Sequence, residues 1–156
     1  MLTSSPGGVL SISTISVPAL LLAPNPLVTQ QWQKIYDSGK AQMPPLAGAS
    51  ALSFAYLAYR WYGTLKQPKA ELSGLSAFLA VLIVPYTIIF MNKVNKKLQR
   101  KAEDSKGLSL DDKVVEVGLP KGESSKELLD SWATHNFVRG LFPLAGSILG
   151  LWTAIS

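Results

Sequence analysis

The placement of charge constrains this chain most. No Asp, Glu, Lys or Arg occurs from Met1 to Gln33, from Ala41 to Tyr59, from Leu72 to Asn92, or from Gly140 to Ser156. A bilayer-crossing helix needs about 20 mainly apolar residues, within a range of about 17–25. Four such windows consume most of the chain and leave too little for a separate soluble domain. Charged residues make up 16% of the total, against about 25% in a typical soluble domain. The expectation is an all-α fold: a four-transmembrane-helix bundle forming a single integral membrane domain over residues 1–156.

The windows predict helices over about 8–23, 44–62, 72–91 and 125–154. Pro24, Asn25 and Pro26 stop the first helix. That segment lacks the basic flank of a signal peptide, and Pro24 follows Ala23 at the would-be cleavage junction, so it is read as retained. Gln30 to Lys40 reads as a polar connector carrying Trp32 and Tyr36. Pro44 and Pro45 suit the start of the second helix, and Pro85 should kink the third. A charged loop is expected over about 92–124, with Val114, Val115 and Val117 as a short extended piece. Ser124 and Glu127 have capping-box spacing before helix four. Gly146 and Gly150 form a GxxxG pair, which leaves both close packing within the bundle and a homo-oligomer open.

The net charge of +5 reads as topology rather than as a nucleic-acid partner. Lys34, Lys40 and the basic run from Lys93 to Lys106 outnumber Arg60, Lys66 and Lys69, which puts loops one and three in the cytosol of a multi-pass protein. Four aromatics, Tyr56, Tyr59, Trp61 and Tyr62, gather at one end of helix two as an interfacial belt.

Chemistry concentrates in helix four. On a helix, Trp132, His135, Asn136 and Arg139 share one face, offering an aromatic plate, an imidazole, an amide and a guanidinium. His135 is the only histidine, and there is no cysteine. Thiol chemistry is excluded, and the chain offers no ligand set for a dedicated metal site. Polar groups at membrane depth normally face the bundle interior. The plain alternative for Arg139 is a side chain reaching to lipid phosphates, and for His135 a hydrogen-bonded structural role. Tyr36, Trp32, Tyr86, Thr87, Asn92 and Asn95 are expected at the same end. Interfacial anchoring and helix ends are the alternatives for the tryptophans and asparagines.

The order of these motifs resembles a known family. Gly8 with the Ser11–Pro18 stretch, Trp32…Tyr36…Gly39…Pro44, Pro85-Tyr86-Thr87 followed by Asn92 and Asn95, and Trp132…Asn136…Arg139 before a glycine-rich final helix are similar to the fungal anthrone oxygenases. These are small membrane proteins of aromatic polyketide pathways. The resemblance implies oxidation of an anthrone to an anthraquinone by molecular oxygen, with no flavin, haem or metal cofactor, and an endoplasmic reticulum or other endomembrane location. The partners implied are a small aromatic substrate and the lipid bilayer. On this reading His135 is the general base, because its ordinary pKa is near neutrality. Arg139 stabilises the substrate anion. Asn136 and Asn95 orient oxygens, and Trp132 and Trp32 stack on the rings. Tyr36, Thr87 and Asn92 complete the substrate-binding set. The rivals are a small membrane glutathione-transferase-like enzyme, which would want clustered arginines, and a non-catalytic scaffold or assembly protein.

Overall fold

Four helical runs build the fold in the computed structural model, which describes residues 6–107 and 120–156. Helix α1 covers residues 6–20: Pro6–Ser11, a π turn at Ile12–Ser16, and Val17–Leu20. Helix α2 is Asn25–Trp61. Helix α3 is Gln67–Asp104, with a π turn at Thr87–Met91. Helix α4 is Ser125–Ile155.

Two boundaries differ from expectation. Helix α2 begins at Asn25, not near residue 44, so the supposed connector Gln30–Lys40 is helical and Pro44 and Pro45 lie inside the helix. A proline deletes only its own N–H, so the pair leaves the carbonyls of Lys40 and Ala41 without their usual partners while the rest of the ladder continues. Proline does mark a helix start here, but one cluster earlier: Pro24 is the N-cap and Pro26 falls in the first turn.

Helix α3 does not stop at Met91 either. It continues through Asn92–Asp104, so the first part of the expected charged loop is amphipathic helix. Asn95, Leu98 and Ala102, spaced three and four apart, are buried, and Lys93, Lys96, Lys97 and Arg100 point outward. That stripe sufficed to carry the helix on. Val114, Val115 and Val117 lie outside the described residues.

Helix α4 starts as its sequence predicts. The Glu127 amide donates to Ser124 Oγ at 3.2 Å, and Glu127 Oε2 accepts from the Ser124 amide at 3.2 Å. Such a cap contributes about 1 kcal/mol.

Two helices, Gln67–Asp104 and Ser125–Ile155, are long and apolar enough to cross a membrane. Only 17% of the most apolar window of each is buried inside the protein. The apolar stretch of α1, Gly7–Leu20, is shorter than a span requires, and α2 carries Lys34, Asp37, Lys40 and Arg60 along its length.

The core sits at one end, where all four helices meet. Trp32 is fully buried there with Val17, Val28, Met91, Leu98, Leu129 and Trp132. Gln30 Nε2 donates to the Ser105 carbonyl at 3.0 Å, tying the start of α2 to the end of α3. The start of α2, the end of α3 and the start of α4 therefore share that end. Toward the other end, glycines bring the helices close. A Cβ on Gly146 would stand 3.3 Å from the Ser76 carbonyl, and one on Gly150 would collide with the Phe54 ring. Both residues of the GxxxG pair thus serve packing within the bundle.

Candidate active site

A cavity of about 330 Å³ lies between α2, α3 and α4, floored by α1. This is at the lower end of the roughly 300–1,000 Å³ typical of small-molecule sites. Its wall is mostly apolar: Val9 and Ile12 from α1, Met43 and Phe54 from α2, Ile83 and Met91 from α3, and Pro143 from α4. Leu46, Val84 and Ile88 line it and are also exposed on the outer surface, so the cavity opens between α2 and α3.

Both π turns touch this cavity. Ile12 lies in the first, and Thr87, Ile88 and Met91 in the second. Each lies within two residues of a proline, Pro18 or Pro85, where the hydrogen-bond ladder is already interrupted. A π turn inserts an extra residue and re-aims the side chains around it, and such turns recur at functional sites.

The polar wall comes from helix spacing. Trp132, Asn136, Arg139 and Pro143 succeed one another at four, three and four residues, which places them in one stripe of α4. Tyr36, Gly39 and Lys40 face them from α2, and Asn95 from α3.

Asn136 is buried, and its amide is fully committed. Nδ2 donates to the Val9 carbonyl at 3.2 Å and to Ser13 Oγ at 2.8 Å, while Oδ1 accepts from Arg139 Nη2. The Val9 carbonyl can only accept, so the amide's orientation is fixed by chemistry. Asn136 therefore has no donor left for a ligand, and its effect is to hold the guanidinium. Two other wall residues are incompletely satisfied. Trp132 Nε1 and Asn95 Oδ1 are enclosed without a hydrogen-bond partner. Such atoms are costly to bury unmatched.

The structure brings Tyr36, Thr87, Asn95, Trp132, Asn136 and Arg139 to one cavity. It does not bring Trp32, Asn92 or His135 there. Trp32 packs behind the wall, stacked on Tyr36 with ring centroids 5.1 Å apart and edge-on to Trp132 at 5.9 Å. Asn92 is exposed. His135 sits on the flank of the α4 stripe, with Nδ1 3.3 Å from the Tyr86 hydroxyl and its ring stacked on Phe90. Sequence reasoning missed Lys40, Ser13 and Phe54. Lys40 lies one turn beyond Tyr36, and reading α2 as continuous helix would have placed both on one face. Of the arginines, only Arg139 lines the cavity, which does not give the cluster that a glutathione site would want.

The family model of anthrone oxygenase matches residues 32–149. The chain belongs to the anthrone oxygenase family. An anthrone oxygenase of Aspergillus fumigatus is 36% identical over 160 residues, covering 96% of this chain and 85% of the relative. A second, from Emericella nidulans, is 30% identical and covers 93% of this chain and 88% of the relative. A noranthrone monooxygenase of Aspergillus flavus is 32% identical over 93% of this chain and 65% of its own length. No solved structure matches. In anthrone oxygenase terms, the matched span holds all of the α2, α3 and α4 cavity wall.

Proposed function

We propose that this anthrone oxygenase-like monooxygenase converts an anthrone to an anthraquinone with molecular oxygen, in a membrane and without a resident cofactor. The observation that carries the reading is one guanidinium, Arg139, fixed by Asn136 on the wall of a mostly apolar cavity. A flat tricycle suits the apolar wall and the Trp132 ring. The charge it develops on losing a ring-methylene proton suits Arg139. A fixed cation in a water-poor site stabilises developing negative charge far better than one in bulk water.

The stoichiometry supports the absence of a cofactor. The substrate methylene and one O2 give a carbonyl and one water, so the substrate supplies all four electrons. Loss of a proton gives the anthrolate. One-electron transfer to O2 and recombination form a C–O bond as a peroxide anion, which takes back one proton, equal to the one lost, to give the substrate hydroperoxide. Loss of the second methylene proton, with cleavage of the O–O bond, gives the quinone carbonyl and water. Arg139 faces the negative charge of the anthrolate and of the peroxide. Trp132 and Asn95 line the same wall, and a modest side-chain turn would bring the unmatched Nε1–H and Oδ1 to a substrate carbonyl and hydroxyl.

The bilayer setting is supported by the outward apolar faces of α3 and α4, which include Phe78, Ile89, Phe90, Leu151 and Trp152. Exposed Tyr56, Tyr59 and Tyr62 form a belt at one end. Exposed Lys93, Lys96, Lys97 and Arg100 gather at the other end, which supports reading that end as the cytosolic one.

The test is turnover by the purified chain in detergent. A hydroxylated anthrone is added in air, anthraquinone absorbance is followed, and the Arg139→Ala rate is subtracted. With 18O2, one labelled atom in the quinone is expected. Unlabelled quinone, or no acceleration by the wild-type chain, removes the reading.

A further inference from the structure

Ser13 belongs to the π turn of α1 and is buried against α4. The family model begins at residue 32, beyond α1. Yet the shorter of the two contacts fixing the Asn136 amide is to Ser13 Oγ, at 2.8 Å, and the other is to the Val9 carbonyl of the same helix. A hydrogen-bonded chain thus runs Ser13, Asn136, Arg139 and ends at the cavity.

We infer that Ser13 is a positioning residue for the oxygenation: through Asn136 it aims the Arg139 guanidinium at the substrate anion, and α1 completes the active site. This rests on the oxygenase reading above. The geometry has three parts. Asn136 spends both N–H groups on α1, so its carbonyl oxygen must face Arg139. Arginine presents its donors in a rigid planar fork, so fixing Nη2 at one end also fixes the direction of the remaining N–H groups. Side chains that hold a catalytic group in place act on the transition state as much as on the fold, because small misplacements reduce electrostatic stabilisation steeply.

Without the Ser13 acceptor, Asn136 keeps only the 3.2 Å contact to Val9. Its amide can then rotate and release Arg139. The effect expected is that of one lost hydrogen bond, roughly tenfold in kcat, with little change in KM because the apolar wall is untouched.

The experiment compares wild type with Ser13→Thr and Ser13→Val, two side chains of equal shape that differ by the hydroxyl. Ser13→Ala serves as a third variant. Each is titrated anaerobically with a bound hydroxylated anthrone, following the visible absorbance of the anthrolate, and then assayed in air. Wild type should lower the ionisation midpoint of the bound anthrone below that of the free compound. Ser13→Thr should keep that midpoint. Ser13→Val should move it back by up to about one pH unit, with a tenfold lower kcat, as roughly one hydrogen bond implies. A residue that merely anchored α1 would change the melting temperature and leave the midpoint alone. Equal midpoints and equal kcat for the threonine and valine variants overturn the Ser13 role and leave the oxygenase reading standing. A wild-type chain that neither shifts the midpoint nor oxidises the anthrone overturns both.

Discussion

The Tyr86 hydroxyl and His135 Nδ1 lie 3.3 Å apart, joining α3 to α4, and neither side chain lines the cavity. His135 is one residue from Asn136 in the chain, but it faces Tyr86 and Phe90 rather than the cavity wall. His135→Ala should therefore keep most of the oxygenase turnover. It should cost about 1 kcal/mol of stability, the worth of one partly buried hydrogen bond. Parallel kcat and melting measurements check this. A loss of turnover without a loss of stability would restore the histidine to the chemistry.

Arg139→Ala should reduce kcat by about 10²–10³, the range for deleting one donor to a developing anion. Arg139→Lys keeps the charge but not the planar fork that Asn136 holds, so it should fall between alanine and wild type. Steady-state kinetics on all three chains give the order. A lysine variant as fast as wild type would mean that charge alone matters.

Trp132→Phe separates ring contact from hydrogen bonding. The indole N–H is enclosed without a partner, so removing it relieves an unmatched donor and offsets some of the packing lost. Stability in the absence of substrate should stay near wild type, while KM for a hydroxylated anthrone rises about five- to tenfold, the worth of about 1 kcal/mol. An unchanged KM would assign Trp132 a stacking role only.

Gly150→Ala places a methyl where the Phe54 ring now sits, and Phe54 lines the cavity. The ring must swing, and any movement of it reshapes the cavity wall. Overpacking of this kind costs about 1–3 kcal/mol, and the substrate should feel it as a raised KM. Pairing Gly150→Ala with Phe54→Leu should restore KM, which kinetics on the double variant would show.

One ion pair ties α3 to the turn before α4. Lys97 Nζ donates to Glu123 Oε1 at 2.7 Å, and this hydrogen bond with the lysine charge holds the Glu123 carboxyl below its usual value of 4.5. A lowered folded pKa means that the contribution is present above the ordinary carboxylate range and is lost as pH falls through the lowered value. Both groups are solvent-exposed, so the effect on global stability is small and salt-sensitive. Protection factors for hydrogen exchange at residues 120–124, corrected for the intrinsic pH dependence, should fall as pH drops below the ordinary carboxylate range, and fall at neutral pH on Lys97→Met. Exchange that ignores both changes would show the pair to be incidental.

Much of this was legible in the chain because the relevant signals are local or periodic. The capping box at Ser124 and Glu127 is a contact between near neighbours, and the structure contains it. The 132–136–139 stripe follows from helical pitch. His135 marks the limit of that logic: a residue 60° round the helix from Trp132 can face either way, and only the position of Tyr86 decides. Pro44 and Pro45 misled for a related reason. Their effect on the ladder is local, but whether the helix survives it depends on the packing of both flanks. The π turns have no sequence signature beyond a nearby proline. Ser13 could not be found without them, because its partner is more than a hundred residues away.

Those two turns also determine how the chain responds to deletions. Each carries one residue more than an α-helical turn would, so the sequence pattern slips by one residue, about 100°, across it while the flanking faces stay aligned in space. In most helices, removing a residue scrambles the faces. Within Thr87–Met91 a single deletion would instead restore regular winding and leave Asn95, Leu98 and Ala102 facing the core, with the lysines still outward. What it would lose is the local re-aiming of Thr87, Ile88 and Met91 at the cavity wall. A variant that folds as well as the wild type would then have a reshaped site.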